Sequence, residues 1–381
     1  AARFSEEERD HPTAGFLRNR AHRRTLQGHA WSHRKAPATL FTDLKKMHKH
    51  ITLGHGSGGK LTSDLVKGIF ASAFGMNGPL TDSAITGARG EEVAFTTDSY
   101  VVDPIFFPGG DIGKLAVCGT VNDLAVAGAV PLSLAASFII EEGFETGKLE
   151  TIAGSMAAAC LEAGVKIVTG DTKVVEKGKC DEVFITTTGI GLVRPEYRDI
   201  GTGRMVAPGD ILIVSGPLGN HSIAVTAARK QLSFVTDIVS DCAPLNKMIG
   251  RLLDAGAGIR FMRDLTRGGL ATVLNELAEM TGFDIYLEEP KIPVDEPVKG
   301  VCEMLGFDPL YLANEGKILL VVSQTDATGA IGILRSDPYG KNASVAGHIK
   351  DTRGKTVEMK TAAGGTRILN QLSGVQLPRI C

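Results

Sequence analysis

Two successive series of alternating strand and helix patterns, separated by the Gly- and Pro-containing segment Arg194 to Gly209, constrain the fold of this chain most strongly. Strands are predicted where apolar residues alternate, and helices where they recur at every third or fourth position. The first series predicts a helix at Lys60 to Phe74, a strand at Val93 to Val102, a helix at Ile112 to Ala127, a strand at Leu132 to Ile140, a helix at Leu149 to Ala163, and strands at Val165 to Val168 and Val183 to Ile190.

The second series has the size of a further domain, about 140 residues. It predicts strands at Ile211 to Val214, Ile259 to Met262, Ile285 to Leu287, Ile318 to Val322 and Val345 to Ile349, and helices at Ser222 to Lys230, Leu245 to Leu253, Leu270 to Met280 and Ala327 to Leu334. We therefore predict an α+β fold with domains at residues 47–205 and 206–350. An extension at 1–46, disordered or unrelated to the domains, precedes them, and a flexible tail at 351–381 follows, with little core after Arg353.

Charge is unevenly distributed along the chain. Residues 1–50 hold 11 Lys and Arg against 5 Asp and Glu, and the remaining residues hold 30 against 38. A basic presequence for organelle import is one interpretation of the first 46 residues, but the acidic cluster Glu6 to Asp10 argues against it. The acidic body offers no basic surface for nucleic acid, and no apolar run reaches the roughly 18 to 20 residues of a membrane span. We expect neither nucleic acid nor a membrane as a partner.

The six cysteines lack the spacing of a zinc site or a disulfide scaffold. Free thiols predict a reducing compartment, and hence a cytoplasmic protein. Cys381 is the last residue, and the 16 residues from Thr366 to Cys381 can extend over at most about 50 to 58 Å. Its thiol can therefore be carried to a distant site, with an incidental thiol on a frayed tail as the alternative.

The segment Gly54 to Lys60 fits the G-x-x-x-x-G-K part of a phosphate-binding loop. The next residue should be Ser or Thr, but it is Leu61, and Thr62 lies about 100° further round a helix. We therefore reject a P-loop nucleotide site. A flexible run of main-chain N–H donors with one lysine, able to cover phosphates, is one interpretation, and a loop without a ligand is the other.

Carboxylates interrupt apolar segments at three places. Asp98 lies within a predicted strand, Asn122 and Asp123 interrupt an apolar helix, and Asp171 ends a further strand. A carboxylate in apolar surroundings must be paired, bind a cation or lose its charge. Hard oxygen ligands of this kind suit Mg²⁺ on a nucleotide, whereas strand-end and helix capping are the local alternatives.

Glycine-rich turns precede two predicted helices of the second domain, at Ser215 to His221 and Arg263 to Leu270. Main-chain N–H groups at such helix starts favour anions. A third turn, Asn314 to Gly316, precedes a strand. Capping explains each turn locally, but together with their basic residues they indicate a phosphate or carbonyl site that faces the first domain.

Several longer blocks occur in a specific order along the chain. They are His55 to Gly59, Thr97 to Ala129, Thr169 to Val175, Asp264 to Gly269, Ala313 to Lys317 and the terminal sequence P-R-I-C. Together these blocks closely resemble the HypE family of hydrogenase-maturation carbamoyl dehydratases. The resemblance covers residues 51–381 and no part of the first 46. That family is similar in fold to aminoimidazole ribonucleotide synthetase, selenophosphate synthetase and thiamine-monophosphate kinase.

The resemblance implies a homodimer whose first domains pair their sheets into a β-barrel, with the ATP site in the groove between subunits. The second domain would be an α/β sandwich. Mg²⁺ would be bound by Asp98, Asp123 and Asp171, with Asn122 beside them. The loop residues Gly56, Gly58, Gly59 and Lys60 would cover the phosphates of ATP.

The resemblance also implies a reaction on the tail. A carbamoyl group is placed on Cys381 by the partner HypF, ATP phosphorylates the carbonyl oxygen, and loss of phosphate leaves a thiocyanate. Its cyanide passes to iron on the HypC–HypD complex. For the base we expect Glu315 first and His221 second, while Lys173 and Arg267 are candidates for holding the transferred phosphate or are structural ion pairs.

The tail is expected to have an inward and an outward state. Two alternatives stay open from the residues. One is a small-molecule kinase or ligase of the same fold with an incidental tail, and the other is a non-catalytic scaffold that binds nucleotide.

Overall fold

The computed structural model describes residues 51–56, 58–71, 81–88, 90–229, 236–372 and 377–381. The predicted extension at 1–46 lies outside the described residues. A short turn at Leu53–Gly56 precedes helix α1 (Lys60–Leu65), which continues as a wider turn at Val66–Ala71. The last part of the helix predicted at Lys60 to Phe74 lies outside the described residues.

The first domain contains a five-stranded sheet covered by two helices, and a two-stranded hairpin of Phe106–Phe107 and Gly110–Asp111 lies before the first of these helices. Its elements are β1 (Ala84–Ala88), β2 (Glu91–Tyr100), α2 (Ile112–Val126), β3 (Ala129–Glu141), α3 (Thr146–Ala163), β4 (Lys166–Val175) and β5 (Val183–Val193). The strand order is β1-β2-β5-β3-β4, and only β3 and β4 pair in parallel. The two helices cover one face of this sheet and leave the other face exposed.

Helix α2 lies at the centre of the molecule. It begins where the Asp111 carboxylate accepts hydrogen bonds from the N–H groups of Gly113 and Lys114, 2.7 and 3.0 Å away. Thirteen of its fifteen residues are buried, because it packs on the first sheet and also against the second domain. The helix is therefore apolar on every side, and its polar residues stand out as candidates for a site.

The second domain is a seven-stranded sheet with helices on both faces. Its elements are β6 (Ile211–Val214), α4 (Asn220–Ala228), α5 (Asn246–Asp254), β7 (Ile259–Asp264), α6 (Gly269–Thr281), β8 (Ile285–Glu288), α7 (Glu296–Leu305), β9 (Ile318–Val322), α8 (Ala327–Arg335), β10 (Ser344–Ile349), β11 (Val357–Lys360) and β12 (Thr366–Ile368). The strand order is β12-β11-β8-β10-β6-β9-β7. Strand β9 is buried along its whole length, as its continuous apolar run requires.

The structure corrects the prediction that the segment after Arg353 adds little core. Strands β11 and β12 extend the second sheet, and Val357, Met359 and Leu369 are each 1% exposed. Strand β11 pairs in parallel with β8, about seventy residues earlier. Such a distant partner leaves no local pattern in the sequence. Helix α7 was also not predicted.

All six cysteines lie within the described ranges and are free thiols. Among the described helices, none is long and apolar enough to cross a membrane.

Candidate functional site

Three carboxylates from different elements meet between the two domains. Asp82 precedes β1, Asp123 lies on α2, and Asp264 ends β7. One oxygen atom from each lies within 4.8 Å of the other two. This arrangement of oxygen ligands suits a hard divalent cation such as Mg²⁺.

The electrostatics of this carboxylate cluster (Asp82, Asp123 and Asp264) also favour a cation. Burial, followed by the charges of neighbouring carboxylates, raises the pKa of Asp123 and of Asp264 well above the ordinary value. Burial also raises the pKa of Asp82, against the opposing effect of Arg263, whose Nε donates to Asp82 at 2.7 Å. Thr96 donates a further hydrogen bond of 2.7 Å to Asp123. Arg263 and Arg267 carry two positive charges against these three buried acids, and a bound cation would neutralise the remaining negative charge.

Asp98 lies between the carboxylate cluster and the chain terminus. The alternating burial of β2 places it on the same face as Thr96 and Tyr100, towards α2. Its charge raises the pKa of Asp123 on one side and that of the Cys381 thiol on the other. It is therefore placed to act on both the cation site and the tail.

Asp171 does not join these residues within one chain. Asp98, Thr187, Ala136 and Gly170 lie side by side across β2, β5, β3 and β4, so three strand spacings of about 4.8 Å separate the first from the last. Asp171 follows Gly170 and points to the opposite face of the sheet. There it is exposed and forms an ion pair of 2.7 Å with Lys173. A metal site that combines Asp98, Asp123 and Asp171 of the same chain does not form.

The C-terminal residues are docked against the first domain. The N–H groups of Val101 and Asp103 donate to the main-chain oxygens of Cys381 and Arg379, 3.1 and 3.2 Å away. The side chain of Ile380 is buried in the first domain's core. The Arg379 guanidinium donates to the Val101 carbonyl at 2.9 Å and forms an ion pair with Asp181. This docked state places Cys381 inside the site.

The thiol of Cys381 is buried close to the charged groups of Arg267 and Glu315. Burial raises the pKa of the thiol to about 12, against the opposing effect of the Arg267 guanidinium. Glu315 is 3% exposed, and its Oε1 has no hydrogen-bond partner among the described residues. Burial, followed by the charges of Cys242 and Asp264, raises the pKa of Glu315 well above its usual range. An unpartnered buried carboxyl group of this kind is a candidate proton acceptor.

His221 contacts the docked tail. Its Nε2 donates to the Ile380 carbonyl at 2.7 Å, and its Nδ1 lies 2.8 Å from the Ser240 hydroxyl. Burial lowers the pKa of the imidazole, so the ring is neutral and Nδ1 accepts from Ser240. Both nitrogen atoms of His221 are therefore engaged, one of them with the docked tail, and its role as the second candidate base stays a prediction.

Asn122 also differs from its predicted place beside the metal. Its amide nitrogen donates to the carbonyls of Ala243 and Glu315, 3.0 and 3.4 Å away, and its oxygen accepts from the Leu245 N–H at 2.7 Å. The buried amide therefore joins α2 to a loop of the second domain. The hydrogen-bond partners of Asn122 lie more than 120 residues away in sequence, so no local pattern indicates that it joins the two domains.

The glycine-rich loop is packed against the rest of the chain. A Cβ at Gly58 would lie 2.7 Å from that of Arg267, and one at Gly59 would lie 2.3 Å from the Leu372 carbonyl oxygen. The N–H of Lys60 donates to that same oxygen at 3.0 Å, while its side chain is exposed and pairs with Asp64. Gly56 ends the preceding turn. The role of these residues as a cover for phosphates stays a prediction.

Sequence reasoning missed three residues of the site. Asp264 ends strand β7 and follows the predicted strand Ile259 to Met262 closely, just as Asp171 follows the strand predicted at Val165 to Val168, and this pattern could have identified it. Asp82 lies in a short polar segment without such a pattern, and Arg263 is recognisable only through its ion pairs with Asp82 and Glu276, at 2.7 and 3.3 Å.

The two mixed domains and the carboxylates between them define an AIR synthase-related protein. The model of the AIR synthase related protein N-terminal domain matches residues 81–193, and that of the C-terminal domain matches residues 207–360.

Relatives with higher sequence identity identify one family within this class. Carbamoyl dehydratase HypE of Rhodobacter capsulatus is 50% identical over 337 residues, which cover 87% of this chain and 98% of that protein. The crystal structure of a HypE–HypF complex contains a chain that is 48% identical, with a TM-score of 0.76, and the match covers 81% of this chain and 99% of that one. A HypE structure in complex with ATP is 44% identical, with a TM-score of 0.73, and the match covers 87% of this chain and 100% of that one. The chain belongs to the HypE family of carbamoyl dehydratases.

Proposed function

We propose that this chain acts in the maturation of [NiFe]-hydrogenase, where it uses ATP to dehydrate a thiocarbamate on Cys381 to a thiocyanate. The observation that carries this proposal is the docked tail, which places Cys381 of the chain beside Arg267, Glu315 and Asp98 of the same chain. The names of the relatives and the ATP-bound HypE structure support the same reaction.

The reaction can be written with its atoms and electrons balanced. The carbonyl oxygen of the thiocarbamate forms a bond to the γ-phosphorus of ATP, the bond from that phosphorus to the oxygen of ADP breaks, and one nitrogen proton passes to water. A base then takes the second nitrogen proton. The electron pair of that N–H bond completes the C≡N triple bond, and the C–O bond breaks to release phosphate. Glu315 is the candidate for the base, and Arg267 is placed to stabilise the negative charge of the departing phosphate.

The carboxylate cluster fits a magnesium ion that accompanies ATP. Asp82, Asp123 and Asp264 would hold the ion, and Asp98 lies beside them. A bound Mg²⁺ would neutralise negative charge on the phosphates of ATP. The residues of the chain orient the thiocarbamate and accept its protons, and the buried position of the site limits competing water.

The exposed face of the first sheet supports a homodimer with a barrel between the two copies. Its exposed apolar residues are Phe95, Val130, Leu132, Ile139, Ile190 and Leu192. Asp171 and Lys173 lie on β4 at the edge of this face. We infer that they serve the ATP site of the second copy, since they do not reach the carboxylate cluster of their own chain.

The docked position of Cys381 suits dehydration and disfavours loading with a carbamoyl group. A thiol with a pKa near 12 is almost entirely protonated at neutral pH, whereas the thiolate is the nucleophile. Carbamoyl transfer by a HypF-type partner therefore requires the tail to leave its docking site. We propose that the outward tail meets that partner and later presents the cyanide to a HypC–HypD complex, in the cytoplasm.

Intact mass spectrometry tests this proposal. The chain is incubated with HypF, carbamoyl phosphate and ATP, and we expect a carbamoyl adduct that then loses the mass of one water. The Cys381→Ser variant should show neither change. An adduct that persists with ATP present, or one that forms equally on the Cys381→Ser variant, would contradict the proposal.

A further inference from the structure

Arg229 lies where helix α4 ends and projects across the docked tail. It is the C-cap residue of α4 and has extended backbone angles, which direct the chain away from the helix. Its side chain is half-buried between the segment Val101 to Asp103, which continues β2, and residues Pro378 to Cys381. Arg229 therefore contacts both surfaces that meet when the tail docks.

The guanidinium group of Arg229 makes three hydrogen bonds, all to main-chain carbonyls. Nε donates to Asp103 at 2.9 Å, and one terminal nitrogen donates to Pro378 and Arg379, 2.6 and 3.0 Å away. Because the group is planar and its donors have fixed directions, these bonds set the position of the tail relative to Asp103. The N–H of Asp103 completes the connection by donating to the Arg379 carbonyl.

The arginine is one of two side chains that bind consecutive carbonyls of the tail. Arg229 binds those of Pro378 and Arg379, and His221 binds that of Ile380, the residue next to the thiol. Both side chains come from α4 and its C-cap, so a single helix supplies these two side-chain contacts, in addition to the main-chain bonds from Val101 and Asp103. A lysine could not reproduce the arginine contacts, since it lacks the second donor group.

We propose that Arg229 is a positioning residue that holds the tail of this chain in its docked state and so places Cys381 beside Arg267 and Glu315. It does not touch the sulfur atom, and it acts through the main chain of residues 378–380. The consequence for catalysis rests on the proposed function, whereas the consequence for the position of the thiol does not.

The position of the thiol is tested first, without any catalytic assay. Wild type, Arg229→Ala and Arg229→Lys are alkylated with iodoacetamide, and intact mass gives the rate. The same variants carrying Cys381→Ser give the background from the other cysteines. When docking is fast relative to alkylation, the rate follows the fraction of undocked tail. We expect Arg229→Ala to react about tenfold faster at Cys381, the factor that about 1.4 kcal/mol gives, and Arg229→Lys to lie between.

Arg335 offers a matched control. It ends α8, and its Nε donates to the Ala343 carbonyl at 2.9 Å, far from the tail in the second domain. Arg335→Ala should leave the alkylation of Cys381 unchanged. Equal rates for wild type and Arg229→Ala would overturn the proposal, as would equal acceleration in Arg335→Ala. If Arg229→Ala does not fold, the comparison of Arg229→Lys with wild type decides the question in the same way.

The catalytic consequence is measured separately on the same proteins. Arg229→Ala should accept the carbamoyl group at least as fast as wild type, because loading needs the outward tail, but should lose water about tenfold more slowly. Arg229→Lys should restore part of the lost rate. Faster alkylation without any dehydration by wild type would refute the proposed function and leave the positioning role intact. An equal fall in both steps would overturn the role in positioning.

Discussion

Individual carboxyl groups in this site have raised pKa values because each is buried near others of the same charge. Among these carboxyl groups, Glu315 is the candidate base for the reaction at Cys381. Its Oε1 has no hydrogen-bond partner among the described residues, and burial and the charges of Cys242 and Asp264 raise its pKa. Its neighbours thus move it towards the range where a carboxylate can accept a proton near neutral pH.

Glu315→Gln should slow the loss of water from pre-carbamoylated protein by about 10² to 10⁴, the usual contribution of a general base. The base must be ionised, so the wild-type rate should rise with pH through the raised pKa of Glu315. That rise should be missing in the variant. Time courses of intact mass at several pH values measure both effects, and unchanged rates in Glu315→Gln would exclude this carboxylate as the base.

Asp123→Asn tests the carboxylate cluster. Without ligand, the variant should be as stable as wild type or more so, because it removes one of several mutually repelling buried charges. MgATP at about 100 times its Kd should stabilise wild type by about 2.7 kcal/mol, and most of this gain should be lost in the variant. Thermal unfolding with and without MgATP measures both effects. Asp351→Asn, at an exposed position, is the control, and equal stabilisation of all three proteins would contradict a cation site at Asp123.

At the scale of single residues, the sequence identified Asp98 and Asp123 but not Asp82 and Asp264, and it did not indicate the contacts of residues with distant partners. Asp98 and Asp123 were recognisable because a carboxylate within an apolar period is costly in any fold. The roles of His221 and Asn122 depend on Ile380 and on residues 243–245, more than a hundred residues away in each case. Arg229 had no local signal at all, since its contacts exist only once the tail is docked.

Elements were predictable where the pattern was long and periodic. The strand at Val93 to Val102 and the helix at Ile112 to Ala127 match β2 and α2 within a few residues. Strand β11 was not predictable, because its four residues join the sheet through the distant strand β8 and otherwise pair only with the three-residue strand β12. Such short strands depend on tertiary context for their stability.

Removal of residues after Lys350 tests the structural role of β11 and β12. A chain that ends at Lys350 should lose at least about 4 kcal/mol of unfolding free energy, because it loses three buried side chains worth about 1.5 to 3 kcal/mol each. A chain that ends at Leu372 retains both strands and loses the docked tail with Ile380, so it should lose less unfolding free energy than the chain that ends at Lys350. Urea denaturation measures all three, and equal midpoints would show that the last two strands add no stability.

At the scale of the whole molecule, the exposed face of the first sheet is an apolar surface that a single copy of the chain leaves uncovered. Phe95 is 47% exposed and lies directly opposite Ile190, while Val130 lies opposite Leu192. A contiguous apolar surface of this kind usually marks a site of association. The sequence alone could suggest its partner only through family resemblance, because strands buried by a second copy look like strands buried by the same chain.

Phe95→Lys should convert a homodimer into a monomer, because it places a charge within the apolar face. Size-exclusion chromatography with light scattering measures the mass. Leu161→Lys is the matched control, since Leu161 is 83% exposed on α3, away from this face. A wild-type protein that is monomeric at tens of micromolar would rule out the dimer, and so would a dimer that persists in Phe95→Lys.

The hydrogen bonds that dock the tail involve main-chain groups of residues 378–381 and the guanidinium of Arg379, and the sulfur of Cys381 takes no part in them. The part of the docking free energy that comes from these hydrogen bonds is therefore independent of what is attached to that sulfur. Free thiol, thiocarbamate and thiocyanate can each occupy the same place, so a product can stay bound without dissociating from the protein. In this respect the C-terminal tail acts as a carrier arm for the group on Cys381. Its hydrogen bonds do not change with the group attached to the sulfur, so they do not by themselves release the tail after the reaction.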